Sequence, residues 1–596
     1  MRPHQVTPRV RFQVFCLLLA SIAACTGSPP SHEAAKTEKS SAGTGSTAQN
    51  TAVGKQDEWL VQGKDLAQTR YSELAEINAN NAANLKVAWT FATGVLRGHE
   101  GAPLVHDNTM YVVSPFPNIL FALDLTKPGS PVKWEYHPNP DKRAIGIACC
   151  DVVNRGWTFD DGKIFYNTLD AHTVAVDAAT GKEIWHVKVG DTNLGETMTM
   201  APIVVKHRVI VGNSGGEMGV RGWVVGLDEG TGKEVWRAYS TGPDSEVKIG
   251  AGFHAFYPKD QGKDLGVTSW NPHGYLHGAG TAWGWFSYDP DLNLIYYGTS
   301  NPGPWNQDQR PGDNKWTSTL FARNPETGEA AWATQITPHD MWDYDATNEY
   351  TLVDLPFGGR VRKTLVHFDR NAFAYVIDRT NGEIISAQPF TPLNWATGID
   401  IRTSLPQVVE AKKTKQGVNV TDICPQASGG KDQQPSAYSP RTHLFYVPTN
   451  NVCMDYEGVE ASFIAGTPYF GAKLKTKMPG PGGYSGEFMA WDPVNAKKVW
   501  GIKEDLPVWS GVLATAGDVV FYGTLDGWFK AVNAVTGKVL WQFKCGSGII
   551  GAPMTYRGPD GKQYIAILSG FGGAAPVPAG FATKHSLSGE LYVFSL

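Results

Sequence analysis

The sequence predicts an all-β propeller assembled from four-stranded blades, and three observations carry that expectation. A short unit recurs along the chain, glycine and tryptophan are abundant, and long stretches of helical periodicity are scarce. The unit reads as an apolar pair, an acid or Asn, a Thr-Gly-Lys-like turn and then Trp. It occurs as AVDAATGKEIW (175–185), VGLDEGTGKEVW (225–236), ARNPETGEAAW (322–332), AWDPVNAKKVW (490–500) and AVNAVTGKVLW (531–541), with weaker copies at 121–134 and 376–385. Each is strand, tight turn, strand, with Asp or Asn and Gly supplying the turn geometry. Units roughly 40–50 residues apart match the blade repeat of propellers. Trp185, Trp236, Trp332, Trp500 and Trp541 are expected to pack blade against blade. The longer gaps, about 229–320 and 386–489, are expected to hold insertions above the disc, where chemistry usually resides.

Of 596 residues only 18% are charged, and the formal charge of -5 leaves no basic footprint for nucleic acid. At the N-terminus, Arg2, Arg9 and Arg11 precede an apolar run from Phe12 to Ala24 that is too short to span a bilayer. The run closes on Ile22-Ala23-Ala24-Cys25, similar to a bacterial lipobox with Cys25 as the acylated first residue; an ordinary secretory signal is the alternative. The expected organisation is a signal peptide over 1–24, a flexible tether over 25–54 and the propeller over 55–596. The expected location is the periplasm, with lipid anchoring through Cys25.

Export permits disulfides. With Cys16 and Cys25 set aside, Cys424 and Cys453 are candidates to staple a loop-rich region. Cys149 and Cys150 are adjacent, and bonding them would close a strained ring of the kind found at functional sites; two reduced core cysteines are the alternative. Cys545 is left over. No C-x-x-C-H occurs, so the chain carries no c-type haem of its own.

The stretch His339–Glu349 places Asp343 and Asp345 two residues apart beside aromatic rings. In extended backbone such residues project to one side. Two carboxylates that close resist ionisation unless a cation lies between them. A polar loop whose acids cap turns is the plainer reading. Further motifs sit between the repeats: Gly98-His99-Glu100-Gly101, Cys149-Cys150-Asp151-Val152-Val153-Asn154-Arg155-Gly156, Thr197-Met198-Thr199, Asn213-Ser214-Gly215-Gly216-Glu217, Trp283-Gly284-Trp285, Thr299-Ser300-Asn301-Pro302 and Asp369-Arg370-Asn371.

With C-C-D-x-V-N-R-G, G-G-E, T-S-N-P and W-D-Y-D in that order, the chain resembles the pyrroloquinoline quinone (PQQ) alcohol dehydrogenases over essentially its whole mature length. It is most similar to their lanthanide-dependent methanol dehydrogenase branch, marked by the second acid of W-D-Y-D. The resemblance implies eight blades. It implies Glu217, Asn301, Asp343 and Asp345 as metal ligands, Asp345 being the one added for a lanthanide. Asp343 is also implied as general base. Glu100, Arg155, Thr199, Ser214, Gly215, Gly216 and Arg370 are implied to contact the quinone's rim, with Trp283 stacked on one face and a Cys149–Cys150 ring on the other. Asp432 and Trp509 match further polar and edge contacts.

The chemistry is consistent with those roles. A planar tricarboxylate needs flat apolar faces and cationic groups around its edge. Hard cations want oxygen ligands, and several carboxylates on one ion suit a trivalent cation better than Ca²⁺. The implied activity is oxidation of methanol or another short primary alcohol, with electrons passed to an external cytochrome c, in a protein that resemblance suggests is a homodimer. Two rivals are a calcium-dependent PQQ dehydrogenase for larger alcohols and a propeller lipoprotein that scaffolds outer-membrane assembly. The scaffold has no use for Cys149-Cys150, Glu217 or the Asp343/Asp345 pair.

Overall fold

A computed structural model describes residues 55, 57–572, 575–578, 581 and 585–596. The expected signal peptide, Cys16, Cys25 and the tether to residue 54 lie outside the described residues. Among those described, helices are no longer than four residues and strands dominate. No helix there is long and apolar enough to cross a membrane.

The strands form seven four-stranded sheets and one five-stranded sheet, beside two smaller sheets. The sheet made by Ile203–Val205, Arg208–Gly212, Trp223–Asp228 and Glu234–Tyr239 is typical: consecutive strands pair antiparallel in a meander. The repeated acid or Asn holds the turn between its third and fourth strands. Asp228 Oδ1 accepts the Thr231 N–H at 3.0 Å. Asp177, Asn324 and Asn533 hold Thr180, Thr327 and Thr536 in the same way. This local side-chain bond is why Asp and Asn recur there.

Tryptophan and glycine of successive repeats clasp one another. Gly328, at φ +73°, lies under the Trp236 ring, so close that a Cβ would fall 2.4 Å from Trp236 Cε3. Gly232 lies likewise under Trp185, Gly382 under Trp332, and Gly537 under Trp500. The indole N–H groups of Trp185, Trp236 and Trp500 donate to the carbonyls of Glu229, Pro325 and Ala534 in the following repeat. Glycine is therefore needed twice over, for its left-handed backbone and for its missing side chain.

Gly328→Ala is expected to cost about 2–4 kcal/mol, from the left-handed penalty plus overpacking against the ring. Gly94→Ala is the control. Gly94 has φ +75° and nothing within 4 Å of the added carbon, so only the backbone penalty of about 1–2 kcal/mol applies. Denaturation midpoints of the two variants check the difference.

One sheet joins an early strand to the C-terminal one. Lys86–Ala92 pairs antiparallel with Glu590–Ser595 at the C-terminus, and Trp541 Nε1–H donates to Leu85 O at 3.0 Å. Residues from 59–178 and 513–594 share one apolar core. The long gaps hold insertions as expected. One carries the strand pair Ala396–Asp400 and Leu405–Val408. A second small sheet joins Asn419–Ile423, Cys453–Gly458 and Ala472–Lys477. The Cys424–Cys453 disulfide staples it.

Candidate active site

In a four-stranded meander, the segment before the first strand and the loop after the second emerge at the same end of the sheet. Thr199 precedes Ile203–Val205, while Ser214 and Glu217 follow Arg208–Gly212. A bridge joins the two segments, with Ser214 N–H donating to Thr197 O at 2.8 Å and Thr197 N–H to Ser214 O at 3.3 Å. The same rule places the others. Glu100, Arg155, Trp283, Asp343, Asp345, Asp432 and Trp509 precede first strands, and Asn301 and Arg370 follow second strands. Residues scattered over some 400 positions of sequence thereby gather at one end of the sheets.

They line a cavity of about 350 Å³. Of the residues singled out from sequence, Glu100, Cys149, Cys150, Arg155, Thr199, Ser214, Gly215, Glu217, Trp283, Asp343, Asp345, Arg370, Asp432 and Trp509 all face it. Gly216 and Asn301 stand immediately behind that wall, and the Asn301 N–H donates to Asp345 Oδ1 at 2.5 Å. Gly215 has φ +111°, and a Cβ there would meet Gly195 O at 2.3 Å. Only glycine fits this bend.

Two guanidinium groups organise the polar wall. Arg370 Nη1 donates to Asp343 Oδ2 at 3.1 Å and lies 3.4 Å from Asp345 Oδ2, and its Nη2 donates to Asp432 Oδ1 at 2.9 Å. Arg155 Nη1 donates to Thr199 Oγ1 at 2.7 Å, which lies 3.0 Å from Ser214 Oγ. Arg155 Nε is 2.9 Å from Glu100 Oε2, an ion pair without hydrogen-bond alignment. Both cations lie near the Trp283 ring, at 4.6 and 5.3 Å from a ring centroid. Trp283 Nε1–H donates to Asp345 Oδ2 at 3.0 Å, which fixes the indole against the acid pair.

The acid loop is itself held rigidly. Asp340 accepts the Trp342 and Tyr344 N–H groups at 2.9 and 2.7 Å. Those bonds bracket Asp343, whose φ is +71°. Burial pushes the carboxyls up: Asp345 and Glu100 to about 7, Asp340 to about 6, and Asp343 well above its usual range. Arg370 opposes the rise at Asp343, and the neighbouring Asp345 and Glu217 add to it. Burial also raises Glu217.

The lining offers six carboxylates, Glu100, Asp151, Glu217, Asp343, Asp345 and Asp432, against two guanidinium groups. Asp343 Oδ1 and Arg370 Nε are buried without a hydrogen-bond partner. An acid excess of this size, out of water, calls for a bound cation. Its all-oxygen donors select a hard one. An unpartnered guanidinium N–H and a flat indole face fit an anionic planar ligand.

One expectation is corrected. Cys149 and Cys150 are free, exposed thiols rather than a closed ring. Consecutive Cα atoms lie about 3.8 Å apart, short of the usual disulfide span of about 4.4–6.8 Å, so closure demands a distorted peptide. Sequence reasoning also missed Trp305, Gln426, Ala427, Ser428, Gln433 and Phe470 in the lining. Trp305 and Phe470 pack with centroids 4.0 Å apart. Trp305 ends the run Asn301-Pro302-Gly303-Pro304-Trp305, which was a signal within reach. Phe470 arrives on an insertion and had none.

A propeller that gathers carboxylates, two guanidinium groups and an indole around one cavity has the make-up of a quinone-dependent dehydrogenase. The chain belongs to the PQQ family of glucose, ethanol and alcohol dehydrogenases, whose β-propeller domain matches residues 59–389 and 484–565. It is 52% identical over 564 residues to the lanthanide-dependent methanol dehydrogenase of Methylacidiphilum fumariolicum (strain SolV), covering 90% of this chain and 92% of that relative. It is 44% identical to methanol dehydrogenase [cytochrome c] subunit 1 of Paracoccus denitrificans, covering 87% of this chain and 83% of that protein. The solved structure of a europium-containing methanol dehydrogenase matches with a TM-score of 0.89 at 51% identity, covering 91% of this chain and 98% of that one.

Proposed function

We propose that the protein oxidises methanol and other short primary alcohols to the aldehyde, using PQQ and a lanthanide ion and passing electrons to an external cytochrome c. The observation that carries the reading is Asp345 beside Asp343 within a cavity of six carboxylates and two guanidinium groups. The names of its relatives, lanthanide-dependent methanol dehydrogenase and methanol dehydrogenase [cytochrome c], point the same way.

When bound, the quinone supplies a two-electron acceptor and the cation a Lewis acid. Glu217, Asn301, Asp343 and Asp345 would hold the cation. Arg155 and Arg370, with Thr199, Ser214 and the backbone at Gly215 and Gly216, would hold the quinone's oxygens. Glu100 and Asp432 steady the two guanidinium groups, Trp283 offers a flat face, and Trp509 closes an edge. Asp343 keeps Oδ2 on Arg370 and leaves Oδ1 unpartnered. That oxygen takes the alcohol's hydroxyl proton. Trp305 and Phe470 wall the cavity with apolar surface that excludes water.

The eight sheets of four or five strands support eight blades. The charged and apolar run over 1–24 with Cys25 after it supports export to the periplasm with acylation, and the family resemblance supports a homodimer.

Dye-linked methanol oxidation after reconstitution with PQQ and either La³⁺ or Ca²⁺ tests the reading. Activity with La³⁺ and little with Ca²⁺ is expected. Equal or better activity with Ca²⁺ moves the protein to the calcium branch. No activity and no retained quinone refutes the enzyme assignment.

A further inference from the structure

Glu58, His106 and Asp107 meet where the N-terminal arm crosses the first sheet, and none of them lines the cavity. Trp59 pairs antiparallel with Val105 through backbone bonds of 3.1 and 3.0 Å, which sets Glu58 opposite His106. The strands Leu104–His106 and Thr109–Val113 join through Asp107-Asn108, at φ +42° and +60°. Asp and Asn suit that two-residue turn, and it holds Asp107 at the strand end beside His106.

One ligand atom from each of the three residues lies within 4.8 Å of the other two. His106 Nδ1 is 3.3 Å from Glu58 Oε2, yet it is buried and makes no hydrogen bond. Two ligands of a tetrahedral zinc, each about 2.0–2.1 Å from the metal, stand about 3.3 Å apart. The Glu58–His106 spacing is therefore that of a shared ion. Both side chains are held in place independently of any ion. The His106 ring packs 4.0 Å from the Phe159 ring, and buried Glu58 accepts the Asp107 N–H through Oε1 at 3.3 Å. The acids already gather a cation, since Lys55 Nζ lies 3.2 Å from Asp107 Oδ1 and 3.5 Å from Glu58 Oε1. The Lys55 side chain is 72% exposed, so this pairing is weak and easily displaced.

We propose that Glu58, His106 and Asp107 bind one divalent cation of the Zn²⁺ class, which displaces the Lys55 ammonium. One imidazole nitrogen and two carboxylate oxygens suit Zn²⁺ better than a hard cation such as Ca²⁺, and water takes the fourth position. The ion cross-links residue 58 to residues 106 and 107 and so fastens the N-terminal arm to the first sheet.

Calorimetric titration of Zn²⁺ into the purified protein, washed free of loosely held metal, tests the site. One Zn²⁺ per chain should bind here and raise the melting temperature, as a ligand of the folded state does. His106→Ala should weaken that binding at least about 100-fold and erase the melting shift. Because His106 also packs on Phe159, Asp107→Asn is the second variant. Asn tolerates the left-handed turn, so the fold should stay while affinity drops at least about tenfold. Lys55→Met should bind Zn²⁺ as tightly or more tightly, the competing ammonium being gone. Asp345→Ala, in the cavity, should leave this binding unchanged. No stoichiometric binding overturns the proposal. Binding that survives both His106→Ala and Asp107→Asn, or that is lost in Asp345→Ala, places the ion elsewhere and also overturns it. Weaker binding in Lys55→Met does the same, because the ion then does not take the ammonium's place.

Discussion

Turnover with methanol is expected to fall by about 10²–10⁴-fold in Asp343→Asn, while PQQ and the lanthanide are retained. The expectation follows from how this residue is held. Asp343 adopts φ +71°, a conformation that Asn tolerates better than most residues. The flanking Trp342 and Tyr344 N–H groups remain bound to Asp340, so the loop should keep its shape. The amide oxygen can still accept from Arg370 Nη1, as Oδ2 does now. What the amide lacks is basicity at the position of the unpartnered Oδ1. Steady-state turnover, with the bound quinone's absorbance as the control for loading, checks this. Near-normal turnover would remove Asp343 as the base.

Asp345→Ala is expected to abolish lanthanide-supported activity, with metal affinity falling by at least about 100-fold. Asp345 acts in two ways. Its charge is one of three carboxylates proposed for the cation, and burial pushes its pKa up to about 7, so the ionised form gains from a neighbouring cation. Its oxygens also receive Asn301 N–H and Trp283 Nε1–H. Truncation leaves two donors without their acceptor, at about 1–3 kcal/mol for each that stays buried and unpaired. Melting should therefore drop, though the clasped sheets around the cavity should stay folded. Titration with a luminescent lanthanide, alongside activity with La³⁺ and Ca²⁺, separates lost binding from lost folding. Unchanged lanthanide activity would refute the metal role of Asp345.

Much of the cavity was legible because its residue types are specific and their motifs short. Glu217 follows the bend that only Gly215 can make, and Arg370 sits in the four-residue turn 369–372 between strands. Each motif is local, and the meander carries it to the same end of the sheets. Phe470 shows the other case. It reaches the cavity through an insertion whose path depends on the small sheet stapled by Cys424–Cys453 and on Trp305, whose N–H donates to Phe470 O at 2.7 Å. No periodicity encodes such a contact.

The sequence by itself determined the repeat, its turn chemistry and the packing role of its closing tryptophans, and its motifs, through the family they resemble, named the acids and guanidinium groups of the cavity. The repeat and its turns follow from interactions within a few residues, and the cavity groups were legible because each lies in a short motif of unusual residue types. Only the tertiary structure decided which aromatic rings wall the cavity, that Asp343 keeps one oxygen unpartnered while Arg370 occupies the other, and that Cys149 and Cys150 stand as thiols beside Glu217. The physical reason is distance along the chain. These arrangements join residues tens to hundreds of positions apart, and their geometry is set by how rigid sheets and insertions pack rather than by any local preference.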